Sequence, residues 1–188
     1  SSIPSLDEAC GVHFTFRQFI ECGETWERTR LANIPWQAAT FNALHALATN
    51  ILDPVIDYFG MIRLTYGFAS AALAKEIPGR IAPRLDQHAG HELNRAGKPI
   101  CDRLGAAVDF LVEDEDMIEV AKWITINIPF DRLYVYGPDR PIHVSYGPKG
   151  IQQVVVMSPT STPGRLVPKA LTPEKFAAFE WPNDCRQR

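Results

Sequence analysis

The stretch LDQHAGHELNRAGKPICDRLGAAVDF concentrates side chains that bind divalent metal ions. It contains His88, His91 and Glu92, and it ends in a predicted strand that holds Asp109. A later predicted strand, RPIHVSY, holds His143 between two β-branched residues. Two imidazoles and one carboxylate leave a fourth tetrahedral position on zinc for water, and zinc lowers the pKa of that water toward neutrality. The pattern therefore indicates hydrolysis at a zinc site, if the fold brings these residues together.

The same residue types are also common in purely structural roles. A buried, hydrogen-bonded histidine or an aspartate at a strand end needs no metal, and His13 and His45 are expected to be ordinary packing or surface residues. Four cysteines are present, at positions Cys10, Cys22, Cys101 and Cys185. They form no C-x-x-C pair and match no compact zinc knuckle, so structural thiols are expected.

The composition is typical of a globular protein and argues against a membrane or nucleic-acid-binding protein. At 188 residues, with 46% hydrophobic and 22% charged side chains, the chain fits one soluble globular domain, expected as a monomer. No apolar run reaches the roughly 18 residues of a membrane span. A net charge of -3 without a basic stripe argues against nucleic acid as a partner. The first residues, SSIPSLDEAC, lack the pattern of a secretion signal.

Apolar spacing predicts helices in the first half of the chain. FTFRQFIECG reads as a short helix with Thr15 as N-cap, ending at Gly23. NIPWQAATFNALHALATNILDPVIDYFG predicts a long helix that ends near Gly60. Pro54 lacks an N–H and crowds the preceding turn, so it should kink or divide this helix.

The second half is predicted to form most of a sheet. MIRLTYGF is typical of a strand, SAALAKEI of a short helix, and a long loop follows from Pro78 to Arg103. Then come the strand GAAVDFLV, the helix EDEDMIEVAKWITINI and the strands DRLYVYG, IHVSYG and IQQVVVMS. The predicted class is α+β, with N-terminal helices packed on a small, mostly antiparallel sheet over residues 1–158. Residues 159–188 are predicted to be a Pro/Ser/Thr-rich extension with a short helix capped by Thr172.

Between His13 and Met157, the order of several segments resembles the zinc D-alanyl-D-alanine peptidases. This family includes bacterial DD-carboxypeptidases, vancomycin-resistance dipeptidases and phage endolysins, which share the hedgehog/DD-peptidase fold. The segments that carry the resemblance are HFTFRQF, ILDPVIDYFGMIRLTYGFAS, DQH, GAAVDF, FDRLYVY and IHVSY. The resemblance implies that fold and a zinc-dependent peptidase activity.

The resemblance also implies the zinc ligands. The family's histidine and aspartate of one motif, and a histidine of a late Ile-His-Val strand, correspond to His88, Asp109 and His143. His88 and Asp109 are 21 residues apart, which is further than in the family and implies an insertion. An ungapped match would place Asp102 at the histidine's position, and His91 is a substitute in another loop register. A neutral imidazole suits zinc better than a second hard oxygen, which favours His88.

Two substrate-site positions depart from the family pattern. Ala69 stands where the family has the arginine that resembles a clamp for a terminal carboxylate. Four other arginines could replace it: Arg63, Arg80, Arg84 and Arg103. Tyr136 and Arg140 occupy positions where a catalytic carboxylate is expected, which leaves Asp139 as the predicted general base and Glu92 as the alternative.

The expected function is zinc-dependent hydrolysis of a peptide or amide bond, in a peptidoglycan cross-link or stem peptide. A bacterial or phage origin and action at the cell wall follow from the resemblance. One alternative is a metal-binding but inactive structural or binding module, such as a part of a phage particle. A second alternative is a zinc hydrolase for a different amide, with the inserted loop reshaping the pocket.

Overall fold

Helices predominate in the first half of the chain and strands in the second half, in a computed structural model that describes residues 2–182. The helices are α1 (Phe16–Ile20), α2 (Glu24–Thr29), α3 (Ala38–Leu47), α4 (Asp53–Phe59), α5 (Ala71–Lys75), α6 (Met117–Asn127) and α7 (Pro173–Ala177). The strands are β1 (Ala9–Cys10), β2 (Phe14–Thr15), β3 (Arg63–Tyr66), β4 (Ala106–Leu111), β5 (Arg132–Val135), β6 (Ile142–Tyr146), β7 (Gln153–Pro159) and β8 (Leu166–Leu171). No helix within residues 2–182 is both long and apolar enough to cross a bilayer.

The predicted first helix is present, but it is shorter than expected. Thr15 is its N-cap, and the side chain of Gln18 accepts a hydrogen bond from the Thr15 N–H at 2.9 Å. The helix ends at Ile20 rather than at Gly23. Gly23 has φ of +96° and instead precedes α2, where any Cβ would lie 2.8 Å from the Thr65 carbonyl oxygen. This glycine is therefore required by close packing on β3.

The predicted long helix is divided, and the division lies about one turn before Pro54. A π-helical turn, Ala48–Leu52, separates α3 from α4, and α4 ends at Gly60 as predicted. Because Pro54 has no N–H to donate to the preceding turn, a wider turn relieves the crowding while the helix direction is kept. Asp53 is buried beside it and accepts a hydrogen bond from the Val12 N–H at 2.9 Å.

The main sheet has six strands in the order β3-β4-β6-β5-β7-β8. Each neighbouring pair is antiparallel except β5 and β7, which run parallel. A separate two-stranded sheet joins β1 and β2. The predicted combination of helices with a mostly antiparallel sheet is confirmed.

One face of this sheet packs against helices and forms part of the hydrophobic core. Val108 and Phe110 of β4 and Val144 of β6 are fully buried, and α3 packs against both strands. Successive side chains of a strand point to opposite faces. Asp109 and His143 therefore lie on the other face, with relative side-chain exposures of 28% and 15%.

Residues after the predicted boundary at 158 continue the same sheet. β7 extends to Pro159, and β8 pairs with it in antiparallel register. β8 was missed because it contains Pro168, which an edge strand tolerates. The predicted α7 is present with Thr172 as N-cap, and its Phe176 is fully buried in the core.

Candidate metal centre

Four side chains form a row across the face of the sheet opposite the core. Tyr66 of β3 is the register partner of Asp109, Asp109 is the partner of His143, and His143 is the partner of Tyr134. A register irregularity between Leu64 and Tyr66 precedes this row in β3. Side chains alternate between the two faces of each strand, so burying one face in the core leaves Asp109 of β4 and His143 of β6 side by side on the other face.

The third candidate ligand, His88, comes from the long loop. This loop was expected to lack secondary structure, but it contains two 3₁₀ turns, Pro83–Leu85 and Gln87–Ala89. The Asp86 side chain accepts a hydrogen bond from the His88 N–H at 3.0 Å and caps the second turn. His88 is buried, with 5% of its side chain exposed. The loop is therefore ordered where it reaches the sheet.

The ligand atoms of the three residues converge on one point. Nε2 of His88 lies 3.1 Å from Oδ1 of Asp109 and 3.1 Å from Nδ1 of His143. Nδ1 of His143 lies 2.9 Å from the same carboxylate oxygen. Bond lengths of about 2.0–2.2 Å to tetrahedral zinc place ligand atoms about 3.3–3.5 Å apart. Small outward movements would make the triangle fit, so the group could hold a metal ion.

The hydrogen bonding of His88 favours a positive species between its ring and Asp109. Nδ1 of His88 lies 2.7 Å from the carbonyl oxygen of Gly67, which can only accept, so Nδ1 carries a proton. In the neutral ring, Nε2 then presents a lone pair to the carboxylate oxygen of Asp109. Two acceptors in contact require a positive species between them, either an additional proton or a metal ion. A ring nitrogen held by a backbone carbonyl is also the usual arrangement behind a metal-bound histidine.

The charges of the group depend on one another. Burial raises the pKa of Asp109, but the charge of His88 and hydrogen bonds from both imidazoles outweigh burial and hold the pKa below its ordinary value. Burial lowers the pKa of His88, but the Asp109 carboxylate more than compensates and the pKa lies above its ordinary value. Asp109 is therefore ionised and attracts positive charge to this point.

A buried hydrogen-bond network fixes the loop residue next to His88. The Gln87 side-chain amide donates to the Leu104 carbonyl at 2.9 Å and to Oδ2 of Asp131 at 2.9 Å. Asp131 is 1% exposed, and its Oδ1 accepts from the Ile151 N–H at 3.0 Å. The network ties the loop to the ends of β5 and β7. Sequence reasoning missed it, because nothing local pairs residues 44 positions apart.

Two further contacts hold the imidazole of His88 in place. The ring of Tyr66 stacks on it, with centroids 3.7 Å apart. Gly67, whose carbonyl accepts from the ring, has no room for a side chain because a Cβ would clash with the carbonyl oxygen of Phe19. The Ala69 N–H donates to the His88 carbonyl at 3.0 Å.

The three candidate ligands open into a cavity of about 220 Å³, here called the metal-site cavity. Its polar lining beyond the ligands comprises Tyr66, Arg80, Asp86, Arg103, Tyr134 and Tyr136. Burial, followed by the Asp109 charge, raises the pKa of Tyr136 to about 12, so its phenol stays a hydrogen-bond donor. A cavity with a few convergent polar groups is typical of small-molecule sites.

The structure places the predicted general base elsewhere. Asp139 is exposed and lines a separate groove, not the metal-site cavity. Glu92, the alternative base, is buried at the start of α3, where it accepts from the N–H groups of Trp36 at 2.6 Å and Gln37 at 3.2 Å. Asp86, which no sequence signal marked as a base, lines the metal-site cavity.

The substitute ligands lie apart from the group. Nε2 of His91 accepts from the Gly105 N–H at 3.1 Å, and Asp102 is exposed. Of the four candidate arginines, Arg80 and Arg103 line the metal-site cavity. The others are exposed at the surface, where Arg63 pairs with Glu113 at 3.2 Å.

The other histidines and the described cysteines are not part of the three-residue group. His45 is exposed, and Nε2 of His13 lies 3.6 Å from Oδ1 of Asp57. Cys10, Cys22 and Cys101 are free thiols, and Cys185 lies outside the described residues.

No family model, curated protein or solved structure matches this chain. What the protein can do is therefore inferred from its residues and their geometry.

Proposed function

We propose that the protein is a zinc-dependent metallopeptidase of the hedgehog/DD-peptidase type that cleaves a peptide bond in peptidoglycan. The observation that carries the proposal is the convergence of Nε2 of His88, Oδ1 of Asp109 and Nδ1 of His143, which lie 2.9–3.1 Å from one another. The order of sequence segments that resembles the zinc D-alanyl-D-alanine peptidases supports the same reading.

The chain supplies a distinct role for each polar group of the cavity. When bound by His88, Asp109 and His143, zinc supplies Lewis acidity toward a carbonyl oxygen and makes water more acidic. The phenol of Tyr136 donates a hydrogen bond to the oxygen that becomes negative as the carbonyl is attacked. Asp86 is the cavity carboxylate outside the ligand set and holds the proton that water loses.

Substrate binding relies on the two arginines of the cavity. Arg80 and Arg103 lie on the loop side of the metal-site cavity and take a carboxylate of the substrate. Nη1 of Arg103 already donates to the Leu85 carbonyl at 3.2 Å, which fixes its direction. These arginines replace the clamp that Ala69 cannot provide.

The test is release of amino groups from purified cell walls and from stem peptides by the zinc-loaded protein. We expect release that a chelator abolishes and that added zinc restores. The matched control is His143→Ala, which removes one ligand on the same sheet. Absence of chelator-sensitive release from every wall type and peptide would contradict the proposal, and an amide library would then reveal hydrolysis of another amide.

The position of Asp139 favours a second candidate function. The predicted base lines another groove and Glu92 is engaged at α3, so a metal-binding module without turnover fits these two observations. Stoichiometric zinc together with no hydrolysis of any amide would favour the module. A stable protein that binds no metal would contradict both candidates.

A further inference from the structure

Another concavity lies beside the metal-site cavity, between α5 and the long loop. It encloses about 360 Å³, and we call it the side cleft. Arg80, Ile81 and Asp86 line both concavities, whereas none of the three candidate metal ligands lines the side cleft. At about 30 Å³ for each water-sized group, the side cleft has room for roughly twelve non-hydrogen atoms. Its size is therefore that of a small-molecule site next to the metal centre.

Hydrogen bonds within the chain hold both walls of the side cleft in place. On the loop side, Oδ1 of Asn94 accepts from the N–H groups of Ala96 at 2.9 Å and Lys98 at 3.1 Å, which closes a tight turn. On the helix side, the N-cap Ser70 of α5 accepts from the Leu73 N–H at 3.2 Å. Walls that are already ordered lower the cost of binding a ligand between them.

The lining of the side cleft is mostly apolar. Ile81 and Leu93 line it with 55% and 43% of their surface exposed, and Ala74 and Ile100 line it half-buried. Covering large apolar side chains of this kind is favourable because it removes their surface from water. The side cleft therefore suits a ligand with an apolar body.

The rim of the side cleft carries unpaired positive charge. Lys75, Arg80 and Arg95 line it and are exposed, and none of them forms an ion pair with an acidic side chain within residues 2–182. Asp86 also lines the side cleft, but it is buried and its Oδ1 accepts from the His88 N–H at 3.0 Å. Three exposed cations against one buried carboxylate favour an anionic group, and the planar fork of arginine matches a carboxylate.

We propose that the side cleft is a binding site for a small amphiphilic carboxylate, such as a medium-chain fatty acid. The apolar body lies along Ile81, Leu93 and Ala74, and the carboxylate lies at the basic rim. The site is separate from the three candidate metal ligands and does not depend on the proposed peptidase activity.

The test is calorimetric titration of the protein with three probes: octanoate, its uncharged analogue octanol, and acetate. We expect octanoate to bind at least about tenfold more tightly than octanol, because only the carboxylate makes charge-assisted hydrogen bonds to the rim. Acetate should show no binding because it lacks the apolar body. Equal affinity for octanoate and octanol, or no binding of octanoate, would overturn the proposal.

A charge-reversal variant tests the rim. Lys75→Glu combined with Arg95→Glu should lower the affinity for octanoate by about tenfold and leave the affinity for octanol nearly unchanged. Lys149→Glu combined with Lys169→Glu is the matched control, since both lysines are exposed and neither lines the side cleft. An equal loss of octanoate affinity in both double variants would show a general charge effect and overturn the role of the rim.

A space-filling variant tests the apolar lining. Ala74→Phe places a ring in the side cleft and should abolish octanoate binding, whereas Ala72→Phe, on the exposed side of the same helix, should not. Circular dichroism checks that each variant is folded. Retained octanoate binding in folded Ala74→Phe would overturn the proposal.

A carboxylate can also bind zinc directly, so the titrations are made with both the metal-free and the zinc-loaded protein. We expect octanoate to bind both forms, because the side cleft contains none of the candidate metal ligands. Binding that requires zinc and that Ala74→Phe leaves unchanged would assign the probe to the metal centre and overturn the side cleft as its site.

Discussion

At the scale of single residues, the site depends on where one proton lies. Nδ1 of His88 donates a hydrogen bond to the Gly67 carbonyl, and Oδ1 of Asp109 lies beside one nitrogen of each imidazole. A divalent cation satisfies all three ligand atoms at once, whereas a proton can lie on only one of them. A bound metal ion would therefore take the place of the proton between His88 and Asp109.

Replacing any ligand should remove the metal. We expect His88→Ala, Asp109→Ala and His143→Ala each to lower zinc affinity by at least about 100-fold, since a ligand is worth more than its supporting shell. Zinc content after dialysis, measured by mass spectrometry, checks this. His91→Ala is the control because His91 lies three residues beyond His88 in the same loop. Loss of zinc in that variant alone would mean that the loop register is wrong.

The residue beside His88 should matter almost as much as a ligand. Gln87→Leu removes the donor to Asp131 and Leu104 while keeping the side-chain size. We expect zinc affinity to fall by about 10- to 100-fold, because the loop that carries His88 loses its anchor.

Competition for zinc with a chromogenic chelator measures the effect of Gln87→Leu. Gln18→Leu serves as its control, since that side chain is also hydrogen-bonded but lies at the start of α1. An equal loss of affinity in both variants would indicate general destabilisation instead of positioning.

Sequence reasoning could single out the three candidate ligands because each has a local signal. Asp109 and His143 stand out as polar residues inside apolar strands, and His88 lies in a long loop rich in ligand types. The Gln87–Asp131 contact and the location of Asp139 depend on how distant segments pack. No spacing within one strand or loop encodes them.

At the scale of elements, the loop also supports a helix. Glu92 accepts from two N–H groups at the start of α3 and from the Thr40 hydroxyl at 2.5 Å. A carboxylate at a helix N-terminus is favoured by the helix dipole. The loop is therefore tied to the sheet by Gln87, just before His88, and to α3 by Glu92, four residues after it.

Glu92→Ala should destabilise the fold without acting on the metal. It leaves buried donors of α3 without a partner, so we expect the free energy of unfolding to fall by about 1–3 kcal/mol. Urea titration of the metal-free protein measures it, with the exposed Glu174→Ala as control. If zinc affinity fell while stability held, Glu92 would belong to the metal site after all.

Elements were predictable where propensity and burial agree. α6 and β4 to β7 follow their apolar patterns, whereas α2 has no buried residue and left no stripe to detect. β8 is almost entirely exposed and contains a proline, so it shows no alternation. Such elements are stabilised by contacts with neighbouring elements, and these contacts are not encoded in a local sequence pattern.

At the scale of the whole molecule, the C-terminal segment belongs to the main body. β8 pairs with β7 from Val154 to Pro159, and Phe176 of α7 is fully buried beside α6. The segment therefore shares the core instead of forming a separate extension.

Removing that anchor should lower the stability of the entire fold. We expect Phe176→Ala to reduce the free energy of unfolding by about 3–5 kcal/mol, because a fully buried ring is replaced by a void. The transition should remain single in calorimetry. Val167→Ala on exposed β8 should change stability by under about 0.5 kcal/mol. A separate low-temperature transition in Phe176→Ala would mean that the segment folds on its own.

The direct pairing of Asp109 with His143 has a consequence for how the molecule matures. A slip of one residue between β4 and β6 would turn one of these side chains toward the helices, and no ion could then be captured. Metal binding would thus occur only in chains whose β4 and β6 strands pair in the correct register. A metal-affinity separation after refolding would separate these chains from chains with a shifted register.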